Sequence, residues 1–319
     1  MALVLSVGCQ RRPLEEMNNG LYLSLTIDRD VQNHPGPVEK PELMRVLFYD
    51  AETYEFVSDD YVLPDGGYVN AQPGRYHMVV YNFDTEATLI RGDWTAPELE
   101  AYTNEIPTST RTNLLTKMRA ASKSADYVAP GDGDLIVYEP DHLFVARKEV
   151  EVFHRTGTQT IYADASSIVE TYYLGVRLEN SVNLASAQAL LSGQARGNMF
   201  GFEGGVIEES VILYFDMLSG TNDRTGDTAL QTTFNTFGKL PKEYSRLWLT
   251  IVLTNTSGET MTWQKDITDE FKDNPDRYIY IEEDPIVIPD PPEPPPGGGG
   301  GGFQPSVDEW EEVHQDIVI

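Results

Sequence analysis

The sequence holds a single cysteine, at position 9, so no internal disulfide framework staples the fold and no cysteine-rich zinc site exists. Histidine is scarce too: the five residues, at 34, 77, 142, 154 and 314, are scattered, and no two fall at metal-ligand spacing. No apolar run is long enough to span a bilayer as a helix. Basic residues are few, 23 Lys and Arg against 51 Asp and Glu, which leaves a formal charge of -28. A surface of that sign repels nucleic-acid phosphates and anionic headgroups, so nucleic acid is excluded as a partner; chiefly, the charge keeps the chain solvated. The phosphate-loop, HExxH, GxSxG and GxGxxG signatures are all missing. With so many carboxylates, pairs arise by composition alone and argue nothing for hydrolysis. Two acidic turns, Asp132-Gly133-Asp134 and Asn222 to Asp227, offer oxygen donors without EF-hand spacing. The chain therefore reads as non-enzymatic, with no catalytic residue, no cofactor and no metal ligand assigned.

What is present begins at the N-terminus. An apolar run ends in Val7-Gly8-Cys9 and gives way abruptly to Gln10-Arg11-Arg12-Pro13. This resembles the lipobox of bacterial lipoprotein signal peptides, in which the cysteine thiol receives a diacylglycerol and the peptide is cut before it. Gly8 is small enough to let a peptidase reach the bond, and the apolar run suits the membrane-lying part of a signal. Ser6 stands where leucine is usual, with Leu5 one place earlier, and no basic segment precedes the run. The expectation is that residues 1–8 are a partial signal peptide whose true start lies further upstream, and that residues 9–20 form a lipid-attached tether. Acyl chains stabilise membrane attachment by about 0.8 kcal/mol per buried CH₂, so more than one chain on Cys9 suffices for a durable anchor. The alternative is a short N-terminal strand with an incidental cysteine.

Beyond the tether, strand patterns dominate. Leu21, Leu23, Leu25 and Ile27 alternate with Tyr22, Ser24 and Thr26, a period of two with one apolar face. Denser apolar runs follow at Leu43 to Tyr49 and Tyr76 to Phe83, separated by Pro64-Asp65-Gly66-Gly67 and Gln72-Pro73-Gly74 turns. Short strands broken by Gly and Pro about every ten residues read as a sandwich. Pro97 to Tyr102 and Asn113 to Ala121 are the best helix candidates by propensity, and Ala185 to Leu191 suits a short helix or turn. From Arg147 onward a second strand set appears, including Ile168 to Leu178, Val211 to Phe215, Thr232 to Phe237, Leu247 to Leu253 and Tyr278 to Ile281. The expected organisation is mainly β: an N-terminal sandwich over 21–150 and a C-terminal one over 151–284, against the alternative of one large irregular sandwich. Tyrosines and tryptophans in such strands are mostly core or cross-strand partners, and only sometimes a sugar-stacking platform.

Composition then changes. Residues 285–302 form a Pro/Gly-rich linker: Pro-rich 288–296 favours a stiff polyproline spacer and six glycines at 297–302 a flexible joint. The acidic, apolar tail 303–319 carries Val307, Trp310, Val313, Ile317 and Ile319. Helical spacing and a Ser306–Glu309 capping box favour a helix, whereas Ile317-Val318-Ile319 is strand-like. These five residues are the candidate partner-docking set, adding to a sheet or groove of a neighbour.

The post-cysteine segment Cys9 to Glu16, the run Leu43 to Tyr49, the stretch Pro73 to Glu86, Ile90-Arg91-Gly92, and the linker with its Val307-Asp-Glu-Trp-Glu-Glu312 tail resemble the fimbrial anchor and fimbrillin-associated lipoproteins of Bacteroidales. That family includes relatives known only as a domain of unknown function. The resemblance implies two tandem transthyretin-like β-sandwiches on a lipid-anchored protein of the outer membrane, facing the cell surface. It implies fimbrial or other surface protein subunits as partners and a structural anchoring or accessory role, with no active site to carry over. The rival expectation is a glycan-binding surface lipoprotein, which requires an exposed, roughly coplanar aromatic pair in a groove.

Overall fold

The computed structural model describes residues 20–121, 128–131, 133–154, 157–240 and 246–290. In chain order the first part forms β1 (Leu21–Ile27), β2 (Met44–Asp50), β3 (Phe56–Val62), β4 (Gly66–Val69), β5 (Gly74–Asn82), β6 (Thr88–Arg91), β7 (Glu100–Thr103), helix α1 (Thr108–Ala121), β8 (Ile136–Tyr138), β9 (Phe144–Val152) and β10 (Gln159–Ser167). There follow β11 (Glu170–Glu179), β12 (Leu184–Ala195), β13 (Gly197–Met199), β14 (Gly205–Val206), β15 (Ser210–Thr221), β16 (Thr228–Thr236), β17 (Trp248–Asn255), β18 (Thr260–Asp266) and β19 (Tyr278–Val287). The fold is mainly β, as the alternating patterns and turn spacing predict.

The first large sheet has the order β3-β2-β5-β9-β10-β1-β4. It curls on itself, because the two edge strands are joined by a tight turn in which the Gly66 N–H donates to the Leu63 carbonyl at 2.8 Å. Gly66 has φ +103°, and a Cβ there would sit 1.9 Å from the Leu23 carbonyl oxygen, so the turn demands glycine. Inside the curl lie Leu21, Leu23, Leu25, Met44, Val46, Phe48, Met78, Val80 and Phe144. The period of two in β1 thus directs its leucines inward and Tyr22, Ser24 and Thr26 outward. Strand β10 closes the sheet by pairing in parallel with β1, Leu21 opposite Gln159.

The second sheet has the order β18-β17-β12-β15-β16-β11-β19, with β8 added beside β15. Its core joins Leu174, Val176, Leu213, Leu249, Ile251 and Ile279 to a stack of rings in which Phe215 and Phe234 lie parallel at 4.8 Å. Helix α1 is present where Asn113 to Ala121 predicts it and buries Leu114 and Met118 against Ile136, Leu190, Ile212 and Val252.

Two helix expectations fail. Pro97 to Tyr102 gives only a short 3-10 turn at Ala96–Glu98 before strand β7. Tertiary pairing overrides propensity here. β7 is hydrogen-bonded on both sides, to β6 and β13, and Glu100 forms a two-pronged ion pair with Arg91 at 2.7 Å. Ala185 to Leu191 lies within β12, which is central in its sheet between β17 and β15; the alanines that favour helix here permit close sheet packing instead.

Between β5 and β9 the chain leaves the first sheet on an excursion that makes β6, β7, α1 and β8. Its β7 pairs with β13 from the later part of the chain, which creates an antiparallel sheet of order β14-β13-β7-β6. This sheet covers the outer face of the first large sheet. The resulting cluster unites Leu47, Tyr49, Val79 and Tyr81 with Leu99, Ala101, Phe200 and Phe237. Gly201 lets the layers touch, since a Cβ at that position would lie 1.9 Å from the Ala96 carbonyl oxygen. Phe200 is fully buried and meets Tyr81 edge-on at 5.3 Å. Truncation by Phe200→Ala is expected to cost about 3–5 kcal/mol through lost burial and a residual cavity. Urea unfolding checks this; Val182→Ala, at an 85% exposed position, should stay within about 0.5 kcal/mol of the parent.

Candidate interaction surfaces

The residues singled out for attachment and docking, Cys9, Val307, Trp310, Val313, Ile317 and Ile319, lie outside the described residues. The structure does place the points where their segments join the body. The described chain begins at Gly20, directly before β1 of the first sheet. It departs after β19, the edge strand of the second, where the Ile288 N–H donates to the Glu179 carbonyl at 3.1 Å and the Asn180 side chain donates to the Ile288 carbonyl at 3.2 Å. The segments preceding Gly20 and following Asp290 therefore join different sheets.

Edge β19 is interrupted. Its parallel register with β11 jumps from Val176–Ile281 to Leu178–Ile286, so Glu282-Glu283-Asp284-Pro285 bulge outward opposite Arg177 alone. Asp284 adopts φ 63°, and its carboxylate lies 3.6 Å from Lys265 on the opposite edge strand, β18. Charge, proline and a bulge are standard means of blunting an edge against indiscriminate strand addition. Beyond the bulge, the short Ile286–Val287 segment resumes regular pairing.

Where the two large sheets meet, polar side chains act as fasteners. Asn33, in the left-handed region at φ 62°, donates through Nδ2 to the carbonyls of Arg277 (2.9 Å), Asp276 (3.0 Å) and Thr171 (3.3 Å). Gln32 reaches the Pro275 carbonyl at 3.0 Å. His142 lies between Ser167 Oγ (3.2 Å from Nδ1) and Thr171 Oγ1 (3.4 Å from Nε2), and Thr171 in turn donates to Asn235 Oδ1 at 2.8 Å. The Asn235 N–H donates to the Glu139 carboxylate at 2.8 Å, and burial pushes the pKa of that carboxyl up. Nearby, Asp141 Oδ2 accepts the backbone N–H groups of Ala87 (2.6 Å), Glu86 (2.8 Å) and Thr88 (3.2 Å). A cleft of about 540 Å³ opens beside this network, lined in part by Val38, Lys40, Asn82, Asp84, Asp141 and His142. Two of its carboxylates, Asp84 and Asp141, are engaged with the protein's own N–H groups, which suits a seam.

The Asn222 to Asp227 turn has a structural account. The Asn222 carboxamide oxygen accepts the N–H groups of Arg224 and Thr225, both at 2.9 Å, and its nitrogen donates to the hydroxyls of Tyr173 and Tyr278. In the other acidic turn, Asp134 accepts the Gly131 N–H at 2.7 Å, while Asp132 lies outside the described residues. Among the described residues, no group of three or more His, Cys, Asp or Glu is gathered as for a metal ion.

The glycan expectation calls for an exposed coplanar pair; the parallel rings of Tyr173 and Tyr278 lie 4.5 Å apart with 5° between their planes and are half-buried. They face each other, and the Arg224 guanidinium sits 3.5 Å from the Tyr278 ring centre. Those faces are already occupied. Trp94 is 75% exposed, whereas Trp248 and Trp263 are half-buried; among the described residues Trp94 stacks on no other ring. The fastening residues Asn33, His142, Thr171 and Asn235 escaped sequence reasoning. Only Asn33, within Asn33-His34-Pro35-Gly36-Pro37, carried a turn signal.

The arrangement defines a class: a β-sandwich protein whose polar groups at the seam hold sheets together. Within it, the chain belongs to the family described as a domain of unknown function, DUF5119, whose profile matches residues 8–216. A curated relative, the candidate fimbrium anchoring subunit Fim4B of Bacteroides ovatus, is 25% identical over 226 residues, covering 70% of this chain. That match spans 60% of the relative's length. Among solved structures, a candidate adhesin from Bacteroides ovatus shares the fold with a TM-score of 0.61 and 22% identity, over 91% of this chain and all of that one. The fimbrial anchor protein Mfa2 of Porphyromonas gingivalis gives a TM-score of 0.43 at 14% identity over 81% of this chain and 86% of its own, a likeness too loose to carry an argument.

Burial, with the nearby His34 ring 5.7 Å away, pushes the His142 pKa down from 6.5 to about 4. The neutral imidazole is therefore the form the fold favours. Its contribution is complete above about pH 6.5 and is lost as pH falls toward 4, because the unfolded chain then binds the proton first. A His142→Gln variant should accordingly lose less stability than the parent between pH 7 and pH 4.5. Urea midpoints at the two pH values check the difference, and equal pH slopes would remove His142 from the account.

Proposed function

We propose that the protein is a structural anchor or accessory subunit of fimbria-like surface fibres, non-catalytic, and held at the outer membrane by lipid on Cys9. The observation that carries this reading is the match to a relative named for fimbrium anchoring, which covers most of the chain. The body suits the role. Sandwiches joined by a shared sheet and a hydrogen-bonded seam transmit load between a tether that enters at β1 and a tail that leaves after β19. We take these as two tandem units, with residues 285–302 as a linker that carries the tail outward. In this scheme Val307, Trp310, Val313, Ile317 and Ile319 engage a neighbouring subunit, by strand addition or by filling a groove. No helix among the described residues is long and apolar enough to cross a membrane, so attachment in this reading rests on the thiol.

Two experiments test the scheme. In the native host, with a complete export signal, Cys9→Ala should move the protein from the membrane fraction to the soluble one; retention in the membrane pellet would overturn the lipid anchor. Deletion of residues 303–319 should leave the protein folded and membrane-bound while fibre subunits cease to co-purify with it. Unchanged recovery of those subunits removes the tail from the mechanism.

A further inference from the structure

The outward face of strands β4, β1 and β10 differs from the rest of this acidic molecule. Register aligns Tyr68 with Tyr22 and Thr160 in one row, and Gly66 with Ser24 and Tyr162 in the next. Tyr68 is 67% exposed and Tyr162 68%, while Tyr22 meets Tyr68 edge-on at 5.2 Å. The other outward positions are Thr26, Asp164 and Ser166, so Asp164 is the single charge among the outward positions of these three strands. On the neighbouring strand β9, where Glu149 and Glu151 are exposed, Lys148 donates to the Tyr162 carbonyl at 2.6 Å. At the lower end of the face stands Phe153, 49% exposed, whose N–H donates to the Gln159 side chain at 3.1 Å. A chain with a formal charge of -28 thus presents a tyrosine-bearing sheet face on which these three strands place one charge, Asp164.

The place of this face in the chain says what it meets. Tyr68 lies beside Gly20, where a Cβ would be 3.3 Å from its ring, and Gly20 is the first described residue. Ten residues, Gln10 to Asn19, separate Gly20 from Cys9. Fully extended, that tether reaches no more than about 38 Å, and as a flexible coil it averages roughly 18 Å. We infer that the face formed by Tyr22, Tyr68 and Tyr162 lies against the lipid headgroup layer, so that the tethered protein rests on the membrane in a fixed orientation. This rests on the proposed attachment through Cys9. Tyrosine suits such a boundary, with its ring in the apolar margin and its hydroxyl among hydrated headgroups. The three strands bring one carboxylate, Asp164, toward the bilayer, which limits repulsion by anionic headgroups. The tether supplies the high local concentration that three tyrosines alone do not.

The single cysteine allows a test independent of how the cell modifies the protein. The full chain is coupled through Cys9 to a maleimide-bearing lipid in phosphatidylcholine vesicles that also contain brominated phosphatidylcholine. Tryptophan is introduced in one variant at the face (Tyr162→Trp) and in another on the second sheet (Leu218→Trp, at a 74% exposed position). Relative to the parent's own tryptophans, the introduced residue at 162 should be quenched at least about twofold more strongly than that at 218. Equal quenching at the two sites overturns the proposal, even if Cys9 proves to be lipidated in cells. Conversely, a chain that is not lipidated in cells leaves this measurement unchanged, so the two readings fail separately. A second copy of the chain as occupant would appear in the uncoupled protein as a dimer by sedimentation that Tyr68→Ser with Tyr162→Ser dissolves, and that result also overturns the membrane assignment.

Discussion

The excursion between β5 and β9 is the constraint on which the rest of the architecture depends. Without it, the outer face of β2 and β5 would leave Leu47, Tyr49, Val79 and Tyr81 in water. Those side chains cost little there only because β7 crosses to pair with β13, a strand nearly a hundred residues away, and so brings Phe200 and Leu99 over them. The same excursion places α1 and β8 on the second sheet, where β8 hydrogen-bonds in parallel to β15. One detour thus covers an apolar face on each sheet. Separating the sheets would expose both faces at once and break a β ladder, which couples their stabilities.

Polar residues complete what the apolar cluster begins. At a junction between curved sheets, some main-chain groups cannot find a ladder partner, and a buried orphan costs more than a typical hydrogen bond contributes. Asn33, Asn82, Asp141 and Asn235 meet that need with carboxamide and carboxylate bonds to main-chain groups of loops and of the start of β9. Among the described residues a single buried side-chain atom, Gln194 Nε2, lacks a partner. An acidic composition therefore has two roles here. Many carboxylates keep the exterior solvated, while a few tie loops to strands.

The legible part of the fold was the local part. Leu21 to Ile27 declares its inward face by strict alternation, and Leu43 to Tyr49, Tyr76 to Phe83 and Leu247 to Leu253 are recognisable strands because neighbouring positions are apolar enough to be buried on both faces. β10 was missed: Gln159 to Ser167 alternates in burial, but its inward residues after Ile161 are the alanines 163 and 165, too small to register as a hydrophobic face. Pro97 to Tyr102 looked helical since nothing nearby reveals that β6 and β13 await it on either side. The seam residues were invisible for the same reason. Asn33 finds its acceptors more than a hundred residues away, and no spacing rule in a lone sequence reports that. Cys9 and the tail were conspicuous by composition, and they are the segments the described body does not include.

This division between a fastened body and its terminal segments bears on mechanism. In the proposed role, a chain that links a membrane to a fibre experiences tension along the line from tether to tail. That line then passes from β1 through the first sheet, across the four-stranded sheet and seam, and out along β19. Strands β1 and β10 pair in parallel over the whole of β1, and β11 and β19 pair in parallel on either side of the bulge. The strands at both ends of the described body are thus each held by a parallel neighbour. The acidic, proline-bearing bulge in β19 serves the same end by keeping stray strands from competing at the edge where the tail departs.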